Sequence, residues 1–161
     1  MSELIDGFFD ETNDPGFKLW VSEYEPAIAD EKILGVAVLA KRSRNVNQLA
    51  DRLFYLTSNH LYYKKRSSDK KIRGMMDLKF VRVSFVGEQL EENGDLIYKI
   101  KLTRNLKYTE LYTRKKEVFL QWKELLSPLT IQTNFHSKFS VIKKIGKGAF
   151  ASVCDFSLFQ F

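Results

Sequence analysis

The segment Ile145-Gly146-Lys147-Gly148-Ala149-Phe150-Ala151-Ser152-Val153 has the composition of a loop that holds phosphate. Gly146 and Gly148 lack a Cβ, so backbone amides there can come close to phosphate oxygens. Apolar residues on both sides of the glycines strengthen that reading. Few other residues suggest chemistry. His60 follows a turn and His136 lies in a polar stretch, and neither has metal-ligand spacing with Cys154. Cys154 has no helix start or fixed base beside it to activate the thiol. The carboxylates are scattered and form no catalytic constellation. These residues lead us to expect no catalytic group, no metal and no cofactor.

Charge is the second informative property. Up to Glu31 the chain carries nine acids and one base, Lys18; the rest holds 25 of the 26 bases and 11 of the 20 acids, a local net charge of +14. So basic a body attracts anionic partners: lipid head groups, nucleic acid or an acidic protein face. The acidic leader can fold back and screen it. Nucleic acid is not the expected partner, because the aromatics mostly occupy inward strand positions and leave little to stack on bases. One cysteine excludes an internal disulfide and suits a reducing compartment. The acidic start lacks the basic region of a secretory signal. The longest apolar run, Ile33 to Ala40, is too short to span a bilayer. A cytoplasmic chain with peripheral membrane association is expected.

The elements that must position these groups follow from periodicity. Phe17, Trp20 and Tyr24 fall at helical spacing and predict a short docking helix after the turn signal Asn13-Asp14-Pro15-Gly16. From Ile33 the pattern becomes short strands. Ile33–Ala40 is apolar and breaks into Lys41-Arg42-Ser43-Arg44-Asn45. Arg52–Leu56 and Leu61–Lys64 flank Ser58-Asn59 as a hairpin. Val81, Val83 and Phe85 alternate with polar residues, as do Tyr98, Ile100 and Leu102; Tyr108–Tyr112 is a further strand. Val118, Trp122, Leu125, Leu126 and Leu129 then share one helical face, with Thr113 as the expected cap and Pro128 as the stop.

This order resembles the pleckstrin homology (PH) family over Ile33–Ser127. Three features carry the resemblance: Val38-Leu39-Ala40-Lys41-Arg42, Arg52–Leu56 followed by Leu61-Tyr62-Tyr63, and Trp122 within Phe119–Leu126. It implies an α+β fold, a seven-stranded bent β-barrel or sandwich capped by a C-terminal helix. It also implies a phosphoinositide cup in which Lys41 ends the first strand and Arg52 opens the second. Ala50 replaces the first base of the family's triplet, and Asp51 follows it, although strand alternation should turn Asp51 away from Arg52. Arg42, Arg44, Lys64, Lys70 and Lys71 are the bases expected to compensate, with Lys65, Arg66 and Arg73 beside them. Together they imply attraction to anionic phospholipid head groups or an acidic protein surface.

Phe139–Val153 resembles the first strand, Gly-rich loop and second strand of a serine/threonine protein kinase. The resemblance implies nucleotide contacts from Ile145, Gly146, Lys147, Gly148, Phe150 and Val153, with Ala151 at the third glycine position. The chain ends at Phe161 with no strand lysine, catalytic-loop aspartate or metal-binding aspartate, so a truncated start is expected, using ATP only in a full-length kinase. The expected organisation is an acidic extension (1–31), a PH-like domain (32–127), a linker (128–138) and the kinase start (139–161), as in protist PH–kinase proteins. The expected role is a targeting module that regulates a kinase domain in cis. An active kinase fragment and a scaffold that binds no lipid are the alternatives.

Overall fold

Alternating burial along short strands, followed by one amphipathic helix, builds the fold. The computed structural model describes residues 15–22, 30–42 and 48–131, and the backbone alone of 132, 139–147 and 152–158. Seven antiparallel strands come first: β1 (Gly35–Arg42), β2 (Leu49–Leu56), β3 (His60–Lys64), β4 (Gly74–Asp77), β5 (Arg82–Leu90), β6 (Leu96–Arg104) and β7 (Lys107–Thr113). Helix α1 (Lys116–Leu126) follows, then β8 (Ile131–Gln132), β9 (Phe139–Lys147) and β10 (Ser152–Leu158). The sheet order is β4-β3-β2-β1-β7-β6-β5-β8, with β9 and β10 in a sheet of their own.

The sheet bends where β1 changes partners. β1 pairs with β2 along its length but with β7 only at Ala40↔Tyr112 and Lys41↔Leu111. The two halves diverge from this corner and enclose the core between them. Period-two alternation puts Leu39, Phe54, Leu61, Met76, Val83, Ile100, Leu102 and Leu111 on the enclosed face, all buried. The predicted strands at Val81–Phe85, Tyr98–Leu102 and Tyr108–Tyr112 are present with that alternation. β4 was not anticipated, because Gly74-Met75-Met76-Asp77 is too short to show a period.

Helix α1 covers the barrel with Phe119, Trp122 and Leu126 fully or nearly buried, and Val118, Leu125 and Leu129 packed around them. Gly35 lets it come close: a Cβ there would lie 2.7 Å from Leu125 Cδ1. Thr113 does not cap the helix. It is the last residue of β7, and its Oγ1 accepts the Lys115 N–H in the turn before α1, while Lys115 holds the N-cap position without a side-chain bond.

The predicted docking helix is also corrected. Phe17–Val21 is non-helical, and Val21 exchanges both backbone hydrogen bonds with Met75 at 2.9 and 2.8 Å. This bridge covers the exposed edge of β4, which would otherwise present unpaired backbone groups. Leu19 enters the core, with Phe17 and Trp20 packed against it. Tyr24 lies outside the described residues.

Burial raises the phenol pKa of Tyr62, Tyr98 and Tyr112 above the ordinary 10.0, with Glu88 adding to it at Tyr98 and Glu110 at Tyr112. The folded chain therefore keeps protons that the unfolded chain releases. That stabilisation is complete below the unfolded pKa and is lost as pH rises through the raised folded values. Denaturant midpoints should hold until about pH 10 and fall above it. Tyr62→Phe should make the fall shallower.

Candidate anion-binding site

The site lies at the corner of the bent sheet, where the enclosed faces of β1, β2 and β3 run out of apolar residues. Lys41 follows Leu39 on that face, Arg52 precedes Phe54, and Tyr63 follows Leu61. Their polar ends thus emerge together where the core stops. Lys41 Nζ lies 5.7 Å from the Trp20 ring centroid and 5.6 Å from that of Tyr63, and the two rings meet edge to face at 5.1 Å. An ammonium over aromatic faces is attracted by their quadrupoles and restrained in position.

Two backbone features make room for this wall. Gly74 lacks a Cβ that would sit 2.5 Å from Tyr63 Cε1, so the ring can lie against β4. The N-terminal segment brings Trp20 across Phe54 and Tyr63. That segment is also held from the other side. Lys107 Nζ donates to the Phe17 carbonyl, and the Arg104 guanidinium lies 5.2 Å from the Phe17 ring.

The result is an open cavity of about 1070 Å³. Its cationic lining comprises Lys18, Lys41, Arg42, Arg52, Arg73 and Lys107, and among the described residues Glu110 is the one carboxylate that lines it. Glu110 is engaged elsewhere: it accepts from the Tyr112 hydroxyl and lies 3.9 Å from Lys99 Nζ. Asp51 is exposed on the outer face of β2, and Arg52 Nη1 donates to its backbone carbonyl at 2.8 Å. Ala50 pairs with Lys41 and adds no charge. The cavity is strongly cationic and suits a phosphate or a cluster of phosphates.

Of the residues expected to hold lipid, Lys41, Arg42 and Arg52 line this cavity, joined by Arg73. Lys64 lies on the opposite face, its Nζ 5.6 Å from the Tyr55 centroid. Lys70 and Lys71 are exposed between β3 and β4 and do not line the cavity. Arg44 lies outside the described residues. The sequence reading missed Lys18, Trp20, Tyr63 and Lys107. Alternation from Leu61 was signal enough for Tyr63; the others arrive through folding of distant segments.

In the Gly-rich segment, β9 and β10 pair antiparallel, with Lys147 opposite Ser152 and Gly146 opposite Val153. Ile145, Gly146 and Lys147 thus lie in β9 and Val153 in β10. Gly148 and Phe150 lie outside the described residues. Among the described residues no helix is long and apolar enough to cross a membrane, and no group of histidines, cysteines and carboxylates could hold a metal.

No family model matches the chain, the Gly-rich segment included, and no curated protein sequence matches it. Solved structures do. The Slm1 PH domain, in its complex with phosphoserine, superposes with a TM-score of 0.50 at 17% identity, over 61% of this chain and 95% of that one. The fold is that of a PH domain. The human KIAA0053 PH domain gives 0.49 at 20% identity, over 63% of this chain and 92% of that one. The PH fold accounts for the bent seven-stranded sheet and the covering helix.

Proposed function

We propose that the chain is a binding module that holds a phosphate-bearing anionic head group in the cavity between β1, β2, β3 and the β6–β7 turn. The observation that carries this reading is the convergence of Lys41, Arg42, Arg52 and Arg73 with Lys18 and Lys107 on one cavity. Bases from five separate segments are brought there by folding, and an anion placed in the cavity would be attracted by all of them. The complex of a domain of the same fold with phosphoserine supports phosphate as the ligand chemistry. The role that follows is recruitment to an anionic membrane surface. Each base near such a surface contributes about 1 kcal/mol, so several acting together give useful attraction.

A panel of phosphoinositide and phosphatidylserine vesicles, titrated across salt concentration, tests the proposal. Binding should be present at low salt and weaken as the Debye length falls below about 8 Å. No binding to any anionic vesicle at low salt would refute it.

We propose a second, additional role on the sequence resemblance of Phe139–Val153 alone: the start of a serine/threonine kinase lobe, with the PH-fold unit as its targeting part. A reading frame continuing past Phe161 into an alanine-x-lysine strand would support this, and a frame without one would remove it. The chain as given should transfer no phosphate from ATP. Turnover abolished by substituting Gly146 and Gly148 would contradict that.

A further inference from the structure

The turn between β6 and β7 is built against local preference. Arg104 pairs with Lys107, which leaves a two-residue loop, Asn105-Leu106. Both residues have positive φ, 50° and 62°. A tight hairpin turn of this kind takes asparagine readily at its first position but favours glycine at its second, because a side chain there is strained. A leucine occupies that second position, and it is 60% exposed. Two strand positions on, Tyr108 is equally exposed, with Lys101 Nζ 4.5 Å from its ring centroid. Two large apolar side chains thus stand in solvent at the rim of the cationic cavity, and both line it.

We infer that the β6–β7 tip is a membrane wedge: Leu106 enters the acyl boundary of an anionic bilayer, and Tyr108 lies at the head-group level beside it. The bilayer is the occupant that fits the surrounding charge. Lys101, Arg104 and Lys107 flank the tip, and the bases of the cavity lie on the same rim, so the apolar tip meets a surface that attracts everything around it. An apolar side chain inside a cationic ring is the arrangement that couples hydrophobic burial to head-group attraction, and tyrosine favours the interface between the two. Leu106 is 60% exposed in this positive-φ turn, and insertion into lipid would remove that apolar surface from water.

This inference rests on the head-group reading above, and one experiment separates their failures. Vesicles of phosphatidylcholine with phosphatidylserine are titrated with the full chain and with Leu106→Gly and Leu106→Trp. Leu106→Gly should partition roughly tenfold more weakly, the order expected from losing the burial of one large aliphatic side chain. It should melt no lower than the parent, since glycine suits the turn. Leu106→Trp should gain blue-shifted emission that acyl-brominated lipid quenches, compared with the parent tryptophans. Equal partition of Leu106→Gly, or quenching of Leu106→Trp no greater than the parent's, would overturn the wedge and leave head-group binding standing. A parent chain that binds no anionic vesicle would overturn both.

Discussion

Trp122→Ala is expected to destabilise the chain by about 3–5 kcal/mol, the cost of removing a large ring from a closed core. Trp122 is fully buried at the centre of α1, and its neighbours Phe119 and Leu126 are held between the same two half-sheets. The backbone on either side cannot collapse into the gap, because β1 and β7 are joined by their own hydrogen bonds at the corner. Small domains have about 5–15 kcal/mol of stability in total, so the variant should be largely unfolded or close to it. Trp122 Nε1 is buried with no hydrogen-bond partner, so Trp122→Phe should recover most of the loss by keeping the ring and removing the unpaired donor. Urea midpoints of the three proteins check this. An unchanged midpoint for Trp122→Ala would mean that the helix does not close the barrel.

Lys41→Glu with Arg52→Glu should have the second large effect, on binding instead of stability. Reversing two bases near an anionic leaflet changes the interaction by roughly 4 kcal/mol, on the order of a thousandfold in vesicle affinity. Their fold contribution is small, since both stand at the edge of the core. Lys41 also rests on Trp20 and Tyr63, so a glutamate there would face the aromatic wall with the wrong charge. Reversal of Lys70 and Lys71, outside the cavity, should lower affinity for all anionic vesicles alike and by less. Equal losses from the two pairs would mean that the cavity adds nothing to diffuse attraction.

The parts of this fold that were legible in the sequence are those set by local periodicity. Alternation at Val81–Phe85 and Tyr98–Leu102 and the helical face around Trp122 each depend on residues near in sequence, and all are present. Thr113 shows where that logic fails. A threonine before a helix is a plausible cap, yet pairing with Tyr98 on β6 holds it in β7. Phe17 and Trp20 fail for a similar reason: their helical spacing loses to a tertiary bridge with β4. Lys41 and Arg52 could be placed at the site because strand ends mark them. Lys18 and Lys107 could not, since only the folded, bent sheet brings residues so far apart in sequence to one cavity. Lys64 illustrates the converse, a base whose strand parity turns it to the outer face.

The most direct test of the cationic cavity is amide chemical-shift mapping during titration with a soluble inositol polyphosphate. The expected perturbations cluster at Lys41, Arg52, Tyr63, Arg73 and Lys107, and they disappear in the Lys41→Glu, Arg52→Glu variant. Perturbations centred on Lys64, Lys70 and Lys71, or none at saturating ligand, would contradict the assignment of the site.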